Sequence, residues 1–255
     1  MLLLIVLFLL TALAYASVGF GGGSTYNALL VLGDVDYRVL PSIALLCNLI
    51  VVSGGTFRAM RARLLDASLV LPFTLLSVPM ALIGGQLQIS RGVFVALLGA
   101  ALLIAGLIML LDRSASQHPG SGKEFSTWAI GLPVGAVLGL LAGIVGIGGG
   151  IFLAPALHLL RMADPRQISA TASVFIMVNS IAGLLGQTLK YGGAQQFQAM
   201  SEYTALYVAV LIGGQLGSHL GFSVLSPRLV RRMTALLVIY VAARLLYTWI
   251  GLLAD

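Results

Sequence analysis

The sequence predicts an all-α, polytopic membrane protein made of two homologous repeats, each with about four hydrophobic segments. Its 255 residues are 59% hydrophobic and 9% charged, with a mean hydropathy of +1.05, whereas soluble domains carry about 25% charged residues. Several apolar runs exceed the roughly 18 residues that indicate a membrane span. The same series of runs occurs twice, which indicates an internal duplication.

Apolar runs separated by turn signals define the two repeats. In the first repeat, residues 1–111, the runs cover residues 2–32, 39–57, 67–87 and 92–111. A polar linker rich in glycine and serine, residues 112–126, divides the chain. In the second repeat, residues 127–255, the runs cover residues 127–160, 168–189, 203–222 and 229–252.

The first run of each repeat is interrupted by four glycines within five residues. We call residues 19–23 (GFGGG) the first glycine knot and residues 146–150 (GIGGG) the second. Glycine costs about 1 kcal/mol relative to alanine inside a helix. In a bilayer, freed backbone groups are tolerated only where protein or water satisfies them. Each repeat therefore begins with a glycine-broken helix, which forms either a re-entrant hairpin or two spans.

Further residues match between the repeats in the same order as the knots. Ser42 and Asn48 correspond to Ser173 and Asn179. The sequence LIGGQL occurs at residues 82–87 and again at residues 211–216. Three matches in order, at a nearly constant offset, are the sequence signature of a duplicated transporter fold.

The distribution of basic residues predicts how the repeats are oriented. If each glycine-broken run makes no net crossing and every other run crosses once, ten basic residues lie on one face of the membrane and three on the other. The ten are Arg58, Arg61, Arg63, Arg113, Lys123, Arg161, Arg166, Arg228, Arg231 and Arg232; the three are Arg38, Arg91 and Lys190.

If each broken run instead crosses once, the same residues divide six to seven. Because the cytoplasmic face normally carries the excess of Lys and Arg, the first arrangement is favoured. It has three net crossings per half, so the second repeat is inverted relative to the first. Both termini are then periplasmic or extracellular.

A short apolar arm follows each knot, residues 24–32 and 151–160. As half-helices, these arms would present unpaired N–H groups and a partial positive charge to the knots, which suits a small anion near the bilayer centre. Ser24 occupies the expected N-cap position of the first arm. The predicted substrate-binding residues are Gly21, Gly22, Gly23, Ser24, Thr25, Ser42, Asn48, Gly148, Gly149, Gly150, Ile151, Thr171, Ser173 and Asn179.

The glycines have a second interpretation, which is that they only permit helices to pack closely. For Gly84, Gly85, Gly213 and Gly214, where a helix can continue, close packing is the favoured reading. Arg244 also has two readings: it either belongs to an anion path or extends its charge to the membrane surface.

Several function classes are disfavoured by what the runs lack. All eight acidic residues lie in loops or at a terminus, which disfavours a cation site or a proton relay, since those commonly need a carboxylate within the membrane. A nucleophile elbow, a metal-ligand cluster and a nucleotide-binding loop are all missing from the sequence. We therefore expect no enzyme activity, no cofactor and no metal. The dispersed basic residues also predict no nucleic-acid partner.

The two knots, the ATAS sequence at residues 170–173, the asparagine at position 179 and the later IGGQL sequence are similar to those of the sulfite exporter TauE/SafE family. This resemblance covers essentially the whole chain. The first repeat departs from the pattern, because Leu40-Pro41-Ser42 replaces Thr-Ala-Ser and no proline corresponds to Pro155.

The resemblance implies transport of a small anion, such as sulfite, a sulfonate or a related organic acid, across a bacterial inner membrane. Together with the repeats, it predicts an exporter that works by alternating access, with the anion and the lipid bilayer as its partners. A homodimer is compatible with the sequence. The alternatives are an anion channel or facilitator and a membrane accessory protein that transports nothing.

Overall fold

The computed structural model describes residues 1–18, 21–111, 127–160, 162–190, 192–220 and 227–254, which form helices and no strands. The helices are α1 (Leu2–Val18), α2 (Gly23–Leu32), α3 (Leu40–Arg61), α4 (Ala67–Gln86), α5 (Arg91–Leu111), α6 (Thr127–Val145), α7 (Gly150–Leu159), α8 (Pro165–Lys190), α9 (Gly193–Ser201), α10 (Thr204–Leu220) and α11 (Pro227–Ala254).

The prediction of an all-α polytopic membrane protein is confirmed. Six helices of the described residues are long and apolar enough to cross a membrane, namely α3, α4, α5, α6, α8 and α11. The shorter helices α1 and α10 are also apolar. The predicted linker, residues 112–126, lies outside the described residues. Helix α9 was not expected from the sequence.

The first glycine-broken run folds back on itself as a hairpin. A Cβ placed on Gly33, just after α2, would lie 3.5 Å from the side chain of Leu4 at the start of α1. The rings of Phe8 and Tyr26 also lie 4.9 Å apart. In one straight helix, residues 4 and 33 would be about 44 Å apart. The ten-residue α2 is about 15 Å long, which is roughly half the apolar thickness of a bilayer.

The second glycine-broken run folds back in the same way. A Cβ placed on Gly149 would lie 3.3 Å from the carbonyl oxygen of Leu138, eleven residues earlier in the chain. Leu153 and Leu157 of α7 then join a buried cluster against which Leu138 of α6 packs. Helix α7 has ten residues, as α2 does, so it too is shorter than the apolar thickness of a bilayer.

The helices of the two halves pack in matched pairs. Helix α1 packs along α10, with Gly213 against Leu9 and Gly217 against Leu13, so these two helices run parallel. Helix α6 packs along α4 in the equivalent way. There the contacts are Gly135 against Phe73, Gly139 against Ser77 and Gly143 against Ala81, again parallel.

Two further pairs join each helix to its counterpart in the other half. Gly99 and Gly106 of α5 lie against residues 245–246 and Ile239 of α11, so these helices run antiparallel. Gly183 of α8 lies beside Leu45 near the start of α3, and the side chains of Val52 and Ile176 flank Gly21 together. Helices α3 and α8 therefore also run antiparallel, with the glycine knots beside their crossing.

The later glycine pairs lie within continuous helices, α4 and α10. Gly84 lies against the carbonyl oxygen of Leu140, Gly85 against that of Gly183, and Gly213 against that of Leu9. Close packing is the role of these three glycines, as favoured from the sequence. Gly214 makes only ordinary contact, since an added Cβ would lie 3.7 Å from Val51.

Candidate functional site at the glycine knots

The two knots use glycine for different reasons. In the second knot Gly146, Gly148 and Gly149 have φ values of +79°, +79° and +75°, a region that side chains rarely adopt. The described part of the first knot, residues 21–23, contains no positive φ. There Gly23 abuts the Ile147 carbonyl group and the Asn48 side chain, so the space for a Cβ is already occupied.

The knots lie in direct contact, and asparagine side chains from the first half bind the second knot. Asn48 Nδ2 donates to the carbonyl oxygen of Ile147 at 3.2 Å. Asn27 Nδ2 donates to the carbonyl oxygen of Val145, the last residue of α6, at 3.0 Å. These bonds satisfy carbonyl groups that the break in the helix leaves free. Gly146 also abuts Pro41 at the start of α3.

Both half-helices present free amide groups to this region. In α2 the first intrahelical bond is from the Tyr26 amide to the Gly22 carbonyl oxygen, at 2.8 Å. In α7 the amides of Phe152 and Leu153 donate to the Gly149 carbonyl oxygen, at 3.1 and 3.2 Å. The amides that precede these have no partner within their own helix, and helix N-termini of this kind are where proteins commonly bind anions.

Buried polar atoms without a hydrogen-bond partner among the described residues lie around the knots. Asn48 Oδ1 is 2.8 Å from the position of a Cβ on Gly21, and Ser180 Oγ is 3.4 Å from that of a Cβ on Gly148. Both side chains are fully buried. The other unpaired atoms of this kind are Tyr26 OH, Asn27 Oδ1, Thr56 Oγ1, Thr171 Oγ1 and Asn179 Oδ1. Because such atoms are rare in folded proteins, each one needs an explanation.

The predicted site residues are only partly brought together. Gly21, Gly23, Asn48 and Gly148 meet at the contact between the knots. Gly22 packs against Tyr26, Gly149 against Phe175 and Gly150 against Ile176, while Ile151 provides a backbone amide in the first turn of α7. Asn179 is buried on α8, and its Nδ2 donates to the Phe175 carbonyl oxygen at 2.9 Å. Phe20, the position equivalent to Ile147, lies outside the described residues.

The hydroxyl groups predicted to bind substrate have protein partners in three cases. Thr25 Oγ1 lies 3.0 Å from Tyr15 OH, and Ser173 Oγ donates to the Ser169 carbonyl oxygen at 2.9 Å. Ser42 Oγ accepts from Gln196 Nε2 at 2.7 Å. The expectation that Ser24 caps α2 was wrong, because the helix begins at Gly23 and its N-cap is Gly22, which makes no side-chain bond. Ser24 is buried within the first turn.

Three further polar residues belong to this region. Asn27 and Ser180 are uncharged residues inside apolar runs, and that signal was present in the sequence. Gln196 is 3% exposed and comes from α9, a helix that the hydropathy pattern does not reveal. Arg244, in contrast, lies near the Asp34 carboxylate at 3.6 Å, and both side chains are substantially exposed. It therefore lies at the surface rather than at the knots.

The chemistry of the site is that of uncharged donors and acceptors. Among the described residues no group of three or more His, Cys, Asp or Glu side chains could hold a metal ion. The knots offer backbone amides and the Ser180 hydroxyl as donors, and Asn48 Oδ1 as an acceptor. Two surface hollows of the described protein lie elsewhere, one beside α9 and one beside residues 164–167. The knots themselves are closed against each other.

Comparisons with known proteins agree with this architecture. The chain is 29% identical over 254 residues to the "Probable membrane transporter protein y4hK" of Sinorhizobium fredii (strain NBRC 101917 / NGR234), covering 96% of this chain and 97% of that protein. It is 24% identical over 270 residues to the "Probable membrane transporter protein YunE" of Bacillus subtilis (strain 168), with the same two coverages. No solved structure matches.

The family comparison covers nearly the whole chain. The model of the family described as "Sulfite exporter TauE/SafE" matches residues 3–245, which include both glycine knots and both helical hairpins. The curated relatives are named as transporters and not as enzymes. This chain is therefore a member of the sulfite exporter TauE/SafE family of membrane transporters.

Proposed function

We propose that the chain exports a small anion, such as sulfite, a sulfonate or a related organic acid, and binds it between the two glycine knots. The observation that carries this proposal is that two helix N-termini begin at the contact between the knots, where buried polar side-chain atoms have no partner among the described residues. Helix N-termini favour anions, and uncharged donors can replace the water around an anion without adding a fixed charge.

The same atoms favour an anion that still carries a proton. Asn48 Oδ1 can only accept a hydrogen bond, and it lies beside Gly21 without a partner among the described residues. A hydrogen-bearing oxyanion such as hydrogen sulfite would accept from the backbone amides and donate to this oxygen. A fully ionised dianion would leave Asn48 Oδ1 unpaired, which costs free energy in a buried site.

Transport by alternating access would require the knots to separate. Gly23 touches the Ile147 carbonyl group, and Asn48 binds the same carbonyl oxygen, so one half holds the other closed. Rocking of the two halves about the crossing of α3 and α8 would open the contact to one face and then to the other. The matched helix pairs around that crossing support this mechanism.

Export of an anion needs no coupling ion in a cell whose interior is negative. The membrane potential contributes about 2.3 kcal/mol per charge per 100 mV in the outward direction, and no acidic residue lies within an apolar run. The proposed location is the bacterial inner membrane, with both termini on the periplasmic or extracellular side and the Arg58–Arg63 end of α3 in the cytoplasm.

The test is binding and flux with purified protein. A screen against sulfite, thiosulfate, sulfonates and short carboxylates identifies the ligand, and proteoliposome flux is then measured with an imposed potential or an imposed pH gradient. We expect flux to follow the potential. Flux that ignores the potential and follows only the pH gradient would reject uniport, and a protein that neither binds nor moves any of these anions would reject the function.

A matched pair of variants tests the site itself. Ser180→Ala removes a buried, unpartnered hydroxyl beside Gly148, whereas Ser53→Ala removes an exposed hydroxyl that donates to Ile50 in α3. We expect weaker anion binding only for Ser180→Ala. Equal affinities in both variants would place the site elsewhere. Flux that saturates with substrate concentration, rather than rising linearly, separates a transporter from a channel.

A further inference from the structure

Helix α9 is a small cover inserted into one face of the protein. It lies in the connection between α8 and α10, whereas the equivalent connection between α3 and α4 in the first half is only residues 62–66. One side of α9 is buried through Gln196 and Met200, at 3% and 5% exposure, while Phe197 is 72% exposed. The insertion therefore makes the two faces of the protein different.

The buried side of α9 is fixed by a few neutral hydrogen bonds. Gln196 Nε2 donates to Ser42 Oγ at 2.7 Å and approaches the Arg38 carbonyl oxygen at 3.4 Å. Tyr207 OH of α10 donates to the Met200 carbonyl oxygen at 3.2 Å. At the other end of α9, Gly192 has a φ of +68°, and added Cβ atoms on Gly192 and Gly193 would meet nothing within 4 Å. The two glycines at this end of α9 therefore have open space beside them.

The contact made by Gln196 lies next to a residue that touches the second glycine knot. Ser42 follows Pro41, and Pro41 abuts Gly146 of the second knot. Ser42 is in the first turn of α3, so α9 covers the end of α3 opposite to its basic end at Arg58 and Arg61. A transport path that reached this face beside Pro41 would pass the bond between Gln196 and Ser42.

We propose that Gln196 is a gating residue of the transport path: it holds α9 closed over Ser42, and α9 moves away when the path opens to this face. This rests on the proposed function, since a gate needs a path. When the cover opens, Ser42 Oγ loses its donor and becomes free to bind the passing anion. Removing one neutral hydrogen bond shifts such an opening equilibrium by about five- to tenfold.

The native Cys47 reports on opening without any transported substrate. It is the single cysteine of the chain, is fully buried, lies about one and a half helical turns from Ser42, and shares an apolar cluster with Tyr207. The probe is a small, membrane-impermeant methanethiosulfonate reagent. The test variant is Gln196→Met, which keeps the length of the side chain but removes its amide. The matched control is Gln195→Met, on the exposed side of the same helix.

We expect Cys47 in Gln196→Met to react about five- to tenfold faster than in the wild type, with Gln195→Met at the wild-type rate. Unchanged reactivity in Gln196→Met, or equal acceleration in both variants, would overturn the proposal. Gln196→Ala serves as the second variant. Wild-type protein in sealed vesicles gives an independent measurement, since the reagent must reach Cys47 faster from the face that carries α9 than from the opposite face.

The outcomes distinguish the gate from the proposed function. If the reactivity of Cys47 depends on Gln196 but no tested anion is transported, the proposed gate is retained and the proposed anion exporter is rejected. If an anion is transported but the reactivity of Cys47 does not depend on Gln196, the proposed transport function is retained and the proposed gate is rejected.

Discussion

Substitution of Gly23 by alanine tests whether contact between the knots closes the protein. Gly23 is the first residue of α2, and a methyl group on it would overlap the Ile147 carbonyl oxygen and Asn48 Nδ2. The carbonyl carbon of Ile147 would lie 2.9 Å away. Neither half can yield easily, because the obstructing atoms belong to backbone or to a buried amide. The knots must therefore separate to admit the methyl group.

The expected cost follows from three contributions. Overpacking costs about 1–3 kcal/mol. Breaking the bond from Asn48 to the buried Ile147 carbonyl oxygen costs about 1–3 kcal/mol, while alanine regains up to about 1 kcal/mol of helix propensity. The net destabilisation of the closed contact is about 3 kcal/mol, which corresponds to a melting temperature lower by about 6–12 °C and a change of roughly 100-fold in the closing equilibrium.

The assay is thermal unfolding of the purified protein in detergent, followed by flux in proteoliposomes. The control is Gly54→Ala within the α3 span, where an added Cβ would meet only Arg58 Nη1 at 4.0 Å. We expect Gly54→Ala to retain or slightly raise stability, and Gly23→Ala to lose both stability and most of its flux. Wild-type melting temperature and wild-type flux in Gly23→Ala would refute the conclusion that the knots must touch.

Three further predictions concern residues outside the site, each measured by thermal unfolding. Arg63 has a φ of +54° just beyond α3, so Arg63→Gly should raise stability by about 1 kcal/mol; a lower melting temperature would contradict this. Asp66 caps α4, and the hydrogen bonds that it accepts from Ser68 lower the pKa of its carboxyl group. Asp66→Ala should therefore cost about 0.5–2 kcal/mol of stability at neutral pH. The difference in stability between the wild type and this variant should vanish as the pH falls through that lowered pKa. Arg244→Gln should change stability by less than about 1 kcal/mol and leave flux unchanged, because its pair with Asp34 is exposed; loss of flux would return Arg244 to the anion path.

Local sequence was sufficient to predict the breaks in the helices. Four glycines within an apolar run cannot form an ordinary membrane helix, and the chain does leave helical geometry at both knots. Composition and run length were likewise sufficient for the membrane-spanning helices. The helix start was less predictable: Ser24 has the preferred chemistry of a cap, but the N-cap of α2 is Gly22, two residues earlier, and Gly23 in the first turn lies against Ile147.

Tertiary contacts explain what the sequence did not reveal. Helix α9 is short and polar, so it does not stand out as an apolar run, and its position depends on Gln196 and Met200 meeting surfaces from elsewhere in the chain. Asn48 was predicted to bind substrate directly, yet one of its amide hydrogens is used by the Ile147 carbonyl oxygen. The hydrogen-bond partner of an asparagine depends on how the two halves pack together, which the spacing of residues along the sequence does not predict.

The directions in which the paired helices run give a second argument, separate from charge, about how the two repeats are oriented. If each half crossed the membrane four times, equivalent helices would point the same way, so α3 and α8 would run parallel, as would α5 and α11. Both pairs run antiparallel in the described residues, while α1 with α10 and α4 with α6 run parallel.

An odd number of crossings per half produces that combination of directions. Two folded-back runs that each make no net crossing would produce it, because they leave three crossings per half. The distribution of basic residues also favoured an odd number of crossings per half, and that argument uses charge rather than helix packing. Inversion of the second repeat is thus favoured by helix direction as well as by charge, and labelling that places the linker, residues 112–126, on the same face of the membrane as the termini would contradict both.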